Sequence, residues 1–131
     1  MVEDYPYPGT NADVWAGSVT DNRRALAWTF CAGGAYYGGS DSAHTRWCRP
    51  QIFQYNTAFT SYYSTDAKKR YIACHELGHT FGLQHPKSSE PQATCMQSAS
   101  ADLSYVPTYN YISSTEKNQI NLYYGSGQVS P

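Results

Sequence analysis

Long apolar runs are missing from this chain. No window of its 131 residues approaches the eighteen or more apolar residues of a membrane-spanning helix, and no membrane partner is expected. The first thirty residues lack a basic start followed by an apolar stretch, so no secretory leader is read within them. Charge is scarce and balanced. Nine Lys plus Arg against ten Asp plus Glu give a net charge of −1, and charged residues make up 15% of the chain against roughly a quarter in an average protein. The longest basic run, Lys68-Lys69-Arg70, is too short to follow a phosphate backbone and reads as a solvated helix face, so no nucleic-acid partner is expected. Internal repeats are absent, which argues against a solenoid. Cys-x-x-Cys is absent too, which argues against a zinc knuckle or a thioredoxin-type redox site.

What is present suits a loop-rich, extracellular domain: thirteen Tyr, ten Gly, seven Pro and four Cys. The length allows a single domain over 1–131, expected to be a monomer. Two disulfides are the simplest account of an even cysteine count. Order along the chain favours Cys31 with Cys48 and Cys74 with Cys95, each closing a loop of about twenty residues worth roughly 3 kcal/mol. Such bridges persist in oxidising compartments, so a secreted protein is expected. Met1 directly before a proline-rich lead-in suits an introduced start, with a natural signal and pro-region upstream.

Residues 1–11 read as a poorly ordered lead-in. Asp13 to Val19 and Ala25 to Phe30 are β-favouring and are expected to pair as a hairpin across Thr20-Asp21-Asn22. Ala32 to Gly39 is a glycine-rich loop, and Gln51 to Asn56 reads as a third strand that Pro50 suits to a sheet edge. A helix is predicted over 66–81, from the N-cap oxygens of Ser64-Thr65-Asp66 to a stop at Gly82. Residues 83–112 are mostly loop, holding Pro86, Pro91 and Pro107, and a loop that long is usually functional. A second helix follows, with Ser113 and Glu116 spaced as a capping box, Gly125 as its stop, and Ile120 with Leu122 or Tyr123 packing inward. The fold class expected is α+β: a small mixed β-sheet with an active-site helix and a C-terminal helix.

Three of only four histidines fall between residues 75 and 85. His75 and His79 are four apart, which on a helix puts both imidazoles on one face, near enough to approach one Zn²⁺ at about 2.0–2.1 Å. Glu76 is offset round the helix and can reach an activated water without being a ligand. Gly82 permits a sharp turn, after which His85 can fold back as third ligand. Three nitrogen ligands with an open fourth position belong to a catalytic rather than a structural zinc site. His-Glu-x-x-His alone arises by accident in about one or two of every hundred chains this size, and adding Gly82 and His85 lowers that to about a few in 10⁵, so accident is a poor explanation. A non-catalytic metal site would leave Glu76 without a role.

His75-Glu76-Leu77-Gly78-His79-Thr80-Phe81-Gly82-Leu83-Gln84-His85 resembles the HExxHxxGxxH motif of the metzincin metallopeptidases, the zincin clan that includes matrixins, astacins and snapalysin. Cys95-Met96-Gln97-Ser98 is similar to the Met-turn that runs beneath the metal in that clan. The resemblance implies a zincin-like fold and an endopeptidase acting on protein or peptide substrates with one Zn²⁺ per chain. It makes His75, His79 and His85 the ligands, Glu76 the general base and acid, Gly82 the turn and Met96 the floor. A Cys74–Cys95 bridge would then tie the helix to the Met-turn. In metzincins the substrate lies along an edge strand, which points to Gln51, Phe53 and Tyr55, with side-chain selectivity from the wall after Met96, including Tyr105. The long helix that usually follows the first metzincin strand is missing, as are aspartate-rich calcium loops and a tyrosine at position 98. The alternatives are an archaemetzincin-like peptidase and a zinc-binding recognition module without turnover.

Overall fold

The computed structural model describes residues 14–31 and 51–124. The 1–11 lead-in, the glycine-rich 32–39 loop, the Cys31–Cys48 pairing, the side chain of Tyr123 and Gly125 lie outside the described residues. Three strands form one sheet: β1 (Val14–Val19), β2 (Ala27–Cys31) and β3 (Gln51–Asn56), in the order β1-β3-β2. β1 runs parallel to β3, with Trp15 opposite Ile52, and β2 runs antiparallel to it, with Thr29 opposite Phe53. The sheet is therefore mixed.

Two expectations are corrected here. β1 and β2 do not form a hairpin, because β3 lies between them, and β3 is central rather than an edge. The reason is burial. β3 is buried at five of its six positions, so it takes the place where both backbone edges are paired; Pro50 lies outside the described residues. The β1–β2 connection instead wraps round the end of β3 through Asn56, which is 0% exposed. Its Nδ2 donates to the carbonyls of Asp21, Arg23 and Ala25 at 3.0, 3.3 and 2.9 Å, and its Oδ1 accepts from the amides of Asp21 and Ala58, both at 3.1 Å.

Asn56 also caps a short 3₁₀ segment, Thr57–Tyr63, which leads to α1 (Asp66–Thr80). The Thr65 hydroxyl caps α1 by accepting from the Lys68 amide at 3.3 Å, and the helix ends at Gly82, whose φ of 93° would strain a residue with a Cβ by about 1–2 kcal/mol. Tyr71, Ile72, His75 and Glu76 form its buried side, while Leu77 and Phe81 are exposed. Phe53 meets Tyr71 and Ile72 in the main hydrophobic cluster, and the Gln51 side chain donates to the Thr80 carbonyl at 2.6 Å, pinning the end of α1 to the sheet.

Residues 81–113 run without further strand or helix to α2 (Ser114–Tyr124). The expected capping box closes that helix: the Ser113 amide donates to Glu116 Oε2 at 2.6 Å and the Glu116 amide to Ser113 Oγ at 3.3 Å. Ile120 packs into the core, whereas Leu122 is 82% exposed. Among the described residues no helix is long and apolar enough to cross a membrane.

Candidate metal centre and cleft

One turn of α1 carries His75 and His79, and the reversal at Gly82 brings His85 back to them. Nε2 of His75 lies 3.1 Å from Nε2 of His79 and 3.1 Å from Nε2 of His85. One ligand atom from each of the three falls within 4.8 Å of the others. The outer nitrogens decide what the inner ones can do. His75 Nδ1 is 2.7 Å from the Cys95 carbonyl and His79 Nδ1 is 2.7 Å from the Leu83 carbonyl. A carbonyl only accepts, so each Nδ1 carries the proton and each Nε2 presents a lone pair. Lone pairs facing each other at 3.1 Å repel, and a cation between them turns that repulsion into coordination. Nitrogens bound to one zinc at about 2.0–2.1 Å in a tetrahedral arrangement stand about 3.3 Å apart, close to the spacing observed, so the residues fit a zinc ion.

Protonation supports the same fit. Burial, then the charges of His79 and His85, pushes the pKa of His75 down to about 3. Burial, against the Leu83 hydrogen bond, takes His79 down to about 4. Both imidazoles are thus neutral at neutral pH, the form that ligates. Glu76, beside them and 5% exposed, is pushed up to about 7 by burial, against a hydrogen bond that Thr29 donates to Oε2 at 2.6 Å.

Beneath the triad runs a tight turn in which the Gln97 amide donates to the Thr94 carbonyl at 3.1 Å and the Met96 amide to the Thr94 hydroxyl at 3.1 Å. Met96 is 0% exposed. It can sit there because residue 78 is glycine: a Cβ on Gly78 would lie 2.2 Å from Met96 Sδ. Three ties hold this turn to its surroundings. Cys95 is bonded to Cys74 of α1, with Cα atoms 5.9 Å apart. The Tyr71 hydroxyl donates to the Gln97 carbonyl at 2.6 Å. The Thr94 hydroxyl donates to Glu116 Oε2 at 2.5 Å, so the cap of α2 also braces the turn.

A cleft of about 330 Å³ opens over the triad. Its lining takes in Arg24 to Thr29, running into β2, and Ser98 to Ala101, together with the apolar Tyr71, Ile72 and Leu103. The Ser98–Ala101 side is stiffened by Asp102, whose carboxylate accepts from Ser100 Oγ at 2.9 Å, the Ser104 amide at 3.0 Å and Ser104 Oγ at 2.7 Å. Those bonds, that from the Ser104 amide first, hold its pKa down to about 2. Leu103 turns inward from there at a φ of 61°.

Gln51, Phe53 and Tyr55 do not line this cleft. They lie on the central strand, where Gln51 holds α1, Phe53 is core, and Tyr55 packs on Phe53 with ring centroids 4.7 Å apart. The edge strand beside the triad is β2, which among the described residues pairs with β3 alone. Tyr105 is 50% exposed, with its hydroxyl 3.4 Å from Gln97 Oε1, outside the cleft lining. Three residues escaped the sequence reading. A glycine in mid-helix at 78 is itself a signal, since it is about 1 kcal/mol worse there than alanine. Asn56 and Thr29 carried no local signal.

The sequence profile of metallo-peptidase family M12 matches residues 10–123. The chain belongs to metallo-peptidase family M12. No curated protein and no solved structure matches it. The M12 assignment makes the chain a peptidase by family, and it agrees with the metzincin resemblance and with the three histidines, the group among the described residues that could hold a metal.

Proposed function

We propose that this M12 peptidase is a zinc-dependent endopeptidase with His75, His79 and His85 as ligands and Glu76 as general base and acid. The observation that carries the reading is the contact of His75 Nδ1 and His79 Nδ1 with backbone carbonyls, 2.7 Å each, which leaves their Nε2 atoms facing one another at 3.1 Å in a cleft that Glu76 also lines. Zinc held there would acidify a water and polarise the scissile carbonyl. Glu76 would accept a proton from the attacking water and return it to the leaving amine; a carboxyl poised near neutrality suits both transfers. An extended peptide adds to the edge of β2 that has no partner strand among the described residues and lies between that strand and Ser98–Ala101. Met96, Gly78 and Gly82 support the ligands, and Tyr105 is proposed as a contact for substrate beyond the cleft. A secreted, monomeric single domain fits the Cys74–Cys95 bridge.

The buried Glu76 beside the triad favours this reading over a zinc-binding module without turnover, and the M12 match favours it over an archaemetzincin-like peptidase. Hydrolysis of casein by the zinc-loaded protein is the test. Cleavage at internal bonds is expected, abolished by chelation and restored by zinc, with Glu76→Gln keeping its metal and losing a factor of about 10² to 10⁴ in rate. No cleavage, or a Glu76→Gln protein as fast as wild type, contradicts the proposal.

A further inference from the structure

We infer that Thr29 is a positioning residue for the peptidase chemistry, fixing the orientation of Glu76 through its hydroxyl. The inference rests on the proposed role of Glu76 and goes beyond it. Thr29 sits in β2 and Glu76 in α1, 47 residues apart in sequence. The Thr29 hydroxyl lies 2.6 Å from Glu76 Oε2 and 3.1 Å from the Glu76 backbone carbonyl. One hydroxyl thus meets both ends of the same glutamate, the main chain and the carboxylate. Glutamate has three side-chain torsions, which α1 alone does not fix, and a donor held against Oε2 selects one setting. It also divides the labour between the two oxygens: Oε2 is occupied, and Oε1 is left to take a proton and give it back.

The donor's place in the fold adds to this. Among the described residues β2 is the edge strand along the cleft, so the strand positioned to pair with substrate also carries the group that aims the base. Ala27 and Thr29 lie on the same face of β2, and Thr29 pairs with Phe53 of the buried central strand, which holds the hydroxyl's origin still. A peptide bound in register with β2 therefore meets a carboxylate whose position is set by that same register. Removing the hydroxyl leaves the cleft its shape and lets the carboxylate swing, an effect expected in the chemical step rather than in substrate binding.

Thr29→Val keeps the shape of the side chain and removes the donor; Thr29→Ser keeps the donor. In zinc-loaded protein Thr29→Val is expected to lower kcat about tenfold or more, with KM within about twofold of wild type and zinc content unchanged. Thr29→Ser is expected to restore most of kcat. Should Thr29→Val fail to fold, Thr29→Ala reads the same loss. A readout without activity comes from the zinc-free protein: Thr29→Val and Glu76→Ala, singly and together, should change unfolding stability non-additively. Wild-type kcat in Thr29→Val, equal impairment in Thr29→Ser, or strict additivity in the cycle overturns the inference. If the wild type itself cleaves nothing, the peptidase reading falls and this inference with it. That outcome differs from failure of the inference alone, in which wild type and Thr29→Val cleave equally well.

Discussion

A single hydrogen at position 78 lets the Met96 thioether lie against α1 next to His79. Helix propensity alone favours alanine over glycine there by about 1 kcal/mol, but the alanine Cβ would stand 2.2 Å from Met96 Sδ, and overpacking of that kind typically costs about 1–3 kcal/mol. Met96 is fully buried, so its thioether has to repack within the core to make room, and the clash is expected to outweigh propensity. Gly78→Ala is expected to lower stability in urea unfolding and to weaken zinc retention; a variant more stable than wild type would show that Met96 does not bear on the helix. Glu76 makes a second residue-scale prediction. Its pKa rises from 4.5 in the unfolded chain to about 7 in the fold, so the folded state holds the proton more tightly. At pH values below 4.5 both states are protonated and the buried group carries no penalty. Above pH 4.5 the unfolded chain ionises while the folded state keeps the proton, so stability falls as pH rises towards about 7 and levels off once the folded carboxyl has ionised too. In zinc-free protein the advantage of Glu76→Gln over wild type is therefore expected to be small near pH 4, to grow up to about pH 7 and to level off above it. A difference that does not vary with pH in equilibrium unfolding contradicts the buried, raised carboxyl.

Between the elements, polar and covalent ties do what the sheet alone does not. Asn56 offers Nδ2 to three carbonyls of the 21–25 connection, and that connection supplies Arg24 and Ala25 to the cleft. Asn56→Asp replaces the donor with an oxygen facing three oxygens, and a loss of about 3 kcal/mol or more is expected in urea or thermal unfolding; a loss below 1 kcal/mol would remove Asn56 from this role. Replacing Cys74 and Cys95 together by Ser opens a bridge spanning 21 residues and is expected to cost about 3 kcal/mol. Zinc affinity should drop about 10- to 100-fold as well, because the Cys95 carbonyl orients His75; unchanged affinity in a zinc titration would separate the bridge from the metal centre. These same elements mark what can be read from sequence. Both helices were legible because their signals are local: Thr65 and Ser113 cap within three residues, and Gly82 stops α1 where it must turn. The histidine cluster that could hold a metal was legible because it is compressed into eleven residues, 75–85. Strand order was not. It depends on β3 entering between β1 and β2, a choice set by burial of Ile52 and Phe53 across the fold and by Asn56 reaching back to Asp21. Thr29 was invisible for the same reason, since only the packing of β2 on α1 brings it to Glu76.

At the scale of the molecule, the cleft is lined by β2, an edge strand among the described residues, by the 98–101 loop and by the histidine triad, and the Met96 turn is bound to both helices. α1 reaches that turn through Cys74 and Tyr71, and α2 through Glu116. Membership of metallo-peptidase family M12 and this arrangement both support the central proposal: His75, His79 and His85 hold one zinc ion in an open site. Metal analysis tests it most directly. Purified wild type, equilibrated with zinc at neutral pH and freed of excess, is expected to hold one zinc per chain, and His75→Ala, His79→Ala and His85→Ala each to lose most of it. Wild type holding far less than one equivalent, or any of the three variants retaining a full one, would contradict the assignment of the site.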